Sequence, residues 1–127
     1  MKMEAPTQAY ELTFEERPLY LFARVKAETI DRGTAIVYLR QLSSERERIG
    51  ATRVMLDRQI PSVLSDADNY FIVHEIMEML PGVKLAVVNP FEINDEGLTF
   101  GLLVSTNRGA MYRAFRTEAE AEAWLID

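Results

Sequence analysis

Acids are many along the chain, but the side chains whose type and spacing could do chemistry stand between positions 57 and 78. His74 is the only histidine, and the chain has no cysteine. His74 and Glu78 stand four apart with Glu75 between them, a spacing that can put two ligands on one helix face. The run His74-Glu75-Ile76-Met77-Glu78 is like a zinc-protease helix whose second histidine has been replaced. A zinc site needs a further protein ligand, and neither a second histidine nor a thiolate exists to supply it. The run reads as a polar helix face in water, and no metal or cofactor is expected.

Acid–base catalysis requires carboxylates held in a cleft with displaced pKa values. Asp57 is the best-placed carboxylate, because it closes an apolar run just before a loop, where open α/β sheets often bind ligands. It suits a cap or a loop hydrogen-bond acceptor equally well, and that reading is preferred. Ser62 and Ser65 share the loop. Ser65 precedes Asp66-Ala67-Asp68, the pattern of a helix cap followed by acids in the first turn. There is no Gly-x-Ser-x-Gly elbow and no glycine-rich phosphate loop; Gly97, Gly101 and Gly109 are too widely spread. A non-catalytic protein is therefore expected.

The elements that must position these residues follow from periodicity. Tyr10, Leu12 and Phe14 alternate with polar residues, and residues 19–25 form a second apolar run after Pro18, which together predict a hairpin. Residues 29–49 predict a helix that buries Ala35, Tyr38, Leu39, Leu42 and Ile49, with Thr29 or Asp31 as cap and Gly50 as its end. Residues 53–57 and 84–88 predict strands. Ser65 opens a helix that buries Ile72, Val73, Ile76, Met77 and Leu80 and stops at Pro81-Gly82. Residues 95–107 fit strand alternation as well as a helical stripe, and helix is preferred because it keeps strands and helices alternating. Residues 111–115 predict a last strand. Thr117 and Glu120 form a capping box before a final helix that docks through Ala121, Trp124 and Leu125. The expected fold is α/β, a mixed sheet carrying four helices in the order β-β-α-β-α-β-α-β-α.

Three stretches carry a family likeness. They are Val54-Met55-Leu56-Asp57 as the third strand, Asn107-Arg108-Gly109 before the last strand, and Phe115-Arg116-Thr117-Glu118-Ala119-Glu120-Ala121-Glu122-Ala123-Trp124-Leu125 as the closing strand-to-helix step. In this order the chain resembles the STAS domain of anti-sigma-factor antagonists, over residues 10–127, and in particular its divergent bacterial relatives. The resemblance implies a loose end over residues 1–8, one STAS-like α/β domain over 9–127, and a regulatory function through protein–protein contact. Kinase-regulated members open the second helix with Asp-Ser and then glycine, and that serine is phosphorylated. Here the matching stretch is Leu64-Ser65-Asp66-Ala67-Asp68, with the order inverted and no glycine. A phosphate on Ser65 would meet favourable helix N–H groups and the repulsion of Asp66 and Asp68. A cap is expected at Ser65 rather than a switch, and Ser62 is the second candidate in the same loop.

The expected partner surface is the second helix, with Phe71, His74, Glu75 and Glu78 opposite its buried stripe, together with the loop from Asp57. The partner is expected to be a protein, with a homodimer as one form. The alternative is a carrier of a small apolar ligand in a cavity lined by Phe100, Leu102, Leu103 and Met111. A net charge of −6, with Arg40, Arg46 and Arg48 alternating with Glu45 and Glu47, speaks against nucleic acid. No stretch is apolar enough to span a membrane, the first residues lack a leader's apolar run, and a cytoplasmic location is expected.

Overall fold

Residues 10–91 and 111–127 are described by the structure, a computed structural model. The alternating run forms β1 (Glu11–Arg17), which turns at Pro18-Leu19 into β2 (Tyr20–Lys26). The two pair antiparallel, from Glu11 opposite Lys26 to Arg17 opposite Tyr20. Helix α1 (Arg32–Ile49) starts three residues later than the periodicity suggests. Asp31, not Thr29, is its cap: the Asp31 carboxylate accepts the Thr34 N–H at 2.7 Å, and Ile30 just before it is buried in the core. Gly50 ends the helix at φ 73°, a left-handed conformation that a side chain would strain.

Strand β3 (Arg53–Gln59) runs two residues past the apolar run, to Gln59. Helix α2 (Asp66–Met79) follows its Ser65 cap, and β4 (Lys84–Val88) begins after the glycine turn at Gly82. Strand β5 (Met111–Phe115) leads into α3 (Glu118–Leu125). Thr117 caps α3, its hydroxyl oxygen accepting the Glu120 N–H at 3.2 Å, and the hydroxyl donates to the Glu120 carboxylate at 3.1 Å in place of the capping box's bond from the Thr117 backbone N–H. The expected helix over 95–107, with Phe100, Leu102 and Leu103, lies outside the described residues, as does the end over 1–8. Among the described residues there are three helices.

The sheet is five-stranded and mixed, in the order β1-β2-β3-β4-β5. Strands β2 to β5 are parallel, and β1 is antiparallel at one edge. Because side chains alternate along a strand, β2, β3 and β4 feed two cores. Leu21, Ala23, Val25, Val54, Leu56, Leu85 and Val87 pack under α1 and α2. Phe22, Met55, Ala86 and Val88 pack under α3 with Ala121 and Leu125, and Trp124 sits half-buried at their margin. Strands buried on both faces read as continuous apolar runs, which is why β3 and β4 stand out in the sequence.

Polar bonds pin the helices to this frame. Ser43 on α1 donates to the Met79 carbonyl at the end of α2 at 3.1 Å. Tyr112 on β5 donates to the Leu80 carbonyl at 2.9 Å. On the other face Lys84 donates to the Trp124 carbonyl at 2.6 Å and lies over the indole ring at 4.6 Å. Leu85 is fully buried at the centre of the larger core. Leu85→Ala should cost about 2–5 kcal/mol, read as a lower urea midpoint at an unchanged slope. A midpoint equal to wild type would mean that β4 is not central to the core.

Candidate functional site

At the carboxyl end of β3, Asp57, Arg58 and Gln59 follow one another and point to alternate faces. Asp57 was expected as a loop acceptor at the end of the strand. Because β3 continues to Gln59, Asp57 lies inside the sheet at 1% exposure. Its carboxylate accepts the Arg24 Nε–H at 2.8 Å and the Gln59 amide at 3.0 Å. Arg24 reaches on to Glu118 of α3 at 3.0 Å. Next to this, Tyr20 donates to Glu122 at 2.6 Å and accepts from Arg17 at 3.0 Å. The network ties α3 to β2 and β3. Every carboxylate oxygen of Asp57 has a partner within the fold, so its geometry is that of a brace.

Arg58 faces the opposite side and is 4% exposed. Its guanidinium donates to the carbonyls of Ile60 and Ser62, each at 3.2 Å, and its charge lies near the Tyr38 hydroxyl of α1. No carboxylate pairs with it among the described residues. Two backbone carbonyls therefore hold a buried charge, and these bonds offset part of its desolvation. The consequence is local: the loop 60–65 is pinned at its first half from below. The Ser62 carbonyl serves this anchor.

Ser65 closes the loop. Its side-chain oxygen accepts the Asp68 N–H at 3.1 Å, the expected capping bond, with Asp66 and Asp68 in the first turn. Ser65 and Asp66 are exposed, and Ser62 is half-buried. Arg32, at the start of α1, lies over the Phe71 ring at 4.6 Å and 3.9 Å from the Asp68 carboxylate, which joins the two helix starts.

Helix α2 buries Ile72, Val73 and Ile76, and the residue after it, Leu80, is buried too, while Met77 is half-buried. The opposite face holds Phe71, His74 and Glu78 in solvent, as the periodicity requires, with Glu75 half-buried beside them. It also holds Tyr70, at 61% exposure, which the sequence reading passed over. The signal was present, since Tyr70 stands four residues before His74 and so on its side of the helix. Val63 in the loop is 48% exposed and Phe71 40%. Loop and helix start thus offer two aromatic rings and a branched aliphatic side chain among acids. Among the described residues no three His, Asp or Glu side chains gather in a way that could hold a metal ion. Met111, expected to line a cavity, is 46% exposed on β5.

No family model matches the chain. No curated protein sequence matches it either.

Ser65→Ala should destabilise the fold by about 1 kcal/mol through loss of the cap, and Ser65→Asp should restore most of it, because aspartate caps as well as serine. Equal stability of all three chains in urea would mean that the Ser65 side chain does not stabilise the start of α2. Tyr38 gives a second test. Burial pushes its hydroxyl above the ordinary value of 10.0, and burial followed by the bond to Glu122 does the same for Tyr20. Folded chains then keep protons that unfolded chains lose. The stability is complete below about pH 10 and falls as pH rises beyond it. Tyrosinate absorbance from these rings should appear together with loss of helical circular dichroism. Full ionisation while the helices persist would contradict the burial of Tyr38 over Arg58.

Proposed function

We propose that the chain is a non-catalytic regulatory module that binds another protein through the exposed face of α2 and the loop 60–65. The observation that carries this reading is Tyr70 and Phe71, adjacent and exposed at the start of α2, with Val63 in the loop before them. Aromatic residues are enriched where proteins bind each other, and a few such anchors supply most of the binding energy. The platform beneath them is stiff. Arg58 pins the loop, Ser65 caps the helix, and Arg32 stacks on Phe71. A surface held this way loses little entropy on binding.

The STAS-like reading of the fold is part of the same proposal. A leading hairpin, parallel β-α units, two helices on one face of the sheet and a closing helix on the other support it. Ser65 acts in it as a cap rather than a phosphorylated switch, because its oxygen is engaged by the Asp68 N–H and two acids stand in the first turn. Asp66, Glu75 and Glu78 make the α2 face acidic, so the fitting partner surface is apolar with a basic rim.

The test is capture from lysate of the source cells by immobilised wild type and by Tyr70→Ser/Phe71→Ser. The wild type should retain a discrete protein, and the double variant should lose it by at least about tenfold, the loss of one hot-spot contact. Both side chains are exposed, so the variant's melting temperature should stay close to wild type. Equal retention by both chains would overturn the assignment of this face.

A further inference from the structure

A second exposed apolar surface lies at the open edge of the sheet, away from α2. Among the described residues β1 pairs only with β2, so its outer side presents a row of backbone N–H and C=O groups. The two-residue turn makes Arg17 and Tyr20 the hydrogen-bonded pair that closes the hairpin. Glu11, Thr13, Glu15 and Arg17 therefore bond to β2, and Leu12, Phe14 and Glu16 turn their backbone groups outward. The side chains of these three stand opposite Val25, Ala23 and Leu21, on the α1 side of the sheet. There Phe14, 36% exposed, and Val37, 48% exposed, floor an open groove between β1 and α1. Arg40 and Arg48 stand on its rim. Arg48 is held by Glu45 at 2.7 Å, whereas Arg40 has no carboxylate partner among the described residues.

We infer that this edge docks a second copy of the chain, β1 against β1 in antiparallel fashion about a two-fold axis through Phe14, so that the two sheets become one. The composition of β1 selects the register. A two-fold pairing that uses all seven residues of β1 must be centred on Phe14. Glu11 then faces Arg17 of the second copy, Leu12 faces Glu16, Thr13 faces Glu15, and Phe14 faces its own equivalent. No two like charges stand directly opposite. The neighbouring registers that keep the hydrogen-bond phase are centred on Thr13 or Glu15. The first puts Glu11 against Glu15, and the second puts Glu15 against itself, both unfavourable.

The same register completes the groove. The two Phe14 rings meet on the α1 side and cover both copies of Val37. Glu16 of the second copy, opposite Leu12, arrives at the Gln41 end of the groove, where Tyr10 already bonds Gln41. It thereby brings a carboxylate to Arg40. The occupant is thus identified by charge order along one short strand and by a cation on the neighbouring helix that has no carboxylate partner among the described residues.

Sedimentation equilibrium of the full chain over a wide concentration range should show a dimer. Glu16→Arg and Arg40→Glu should each weaken it about tenfold or more, since each places like charges together, and the double variant should recover. The chain has no cysteine, so a single introduced thiol reports the register. In a hydrogen-bonded antiparallel pair the Cα atoms lie about 5.5 Å apart, inside the range a disulfide spans. Phe14→Cys should therefore form covalent dimers under mild oxidation far faster than Leu19→Cys, whose side chain is exposed in the turn. A monomer at every concentration would overturn the inference, and so would a dimer in which the two thiols cross-link at equal rates.

Discussion

Asp57, Arg58 and Gln59 end a strand that is covered on both faces, so three polar residues in succession must find partners inside the fold. That demand organises both layers of the molecule. On one face Asp57 is neutralised by Arg24 at 2.8 Å, and the same guanidinium extends to Glu118, so the last helix is bound to the second strand through a buried carboxylate. On the other face Arg58 takes its acceptors from the loop that follows, and the loop is held down where it leaves the sheet. Removing Arg24 would leave the Asp57 carboxylate buried without its cation, which is far costlier than losing an exposed pair. The exposed Arg48–Glu45 pair on α1 is of the second, inexpensive kind.

Local signals along the chain led to the right elements where local physics sets the structure. The caps at Asp31, Ser65 and Thr117 are short-range bonds between a side chain and a backbone three residues on, and a short range is what a sequence displays. Strand β4 and the buried stripe of α2 were legible for the same reason, since periodicity reports burial. The start of α1 was only bracketed, because Thr29 and Asp31 both qualify as caps and the burial of Ile30 decides between them. Asp57 looks like a loop acceptor in the sequence because its partner Arg24 lies thirty-three positions away and meets it only through the parallel register of β2 and β3. Arg58 and the Tyr20–Glu122 bond were invisible in the same way. A basic residue next to an acid at a strand end carries no mark saying which face each will take until the strand's length is known.

The strand order bears on what the site can do. Ligand crevices in open α/β sheets form where the order of parallel strands reverses and neighbouring connections leave to opposite sides. Here β2, β3 and β4 follow one another without reversal, and both α1 and α2 lie on one face. The end of β3 is filled by its own side chains. What this end of the molecule offers to the outside is the rigid rim above it, the loop 60–65 and the first turns of α2, and a rigid rim is suited to recognition by contact.

The two exposed apolar surfaces are compatible because α1 separates them. Helix α1 packs against α2 on one flank, through Ser43 and Met79, and borders β1 on the other, through Val37 and Phe14. A pair of chains joined at β1 would therefore keep both α2 faces open. The two-fold axis would run through the joined sheet, so both faces would lie on the same side of it. A partner that is itself paired could engage both at once. Its second contact would then be an intramolecular step, raising the apparent affinity well above that of one α2 face without any new contact. Each face could then be weak and quickly released by itself, which fits a small patch of two rings and one aliphatic side chain, and the assembled pair could still hold its target.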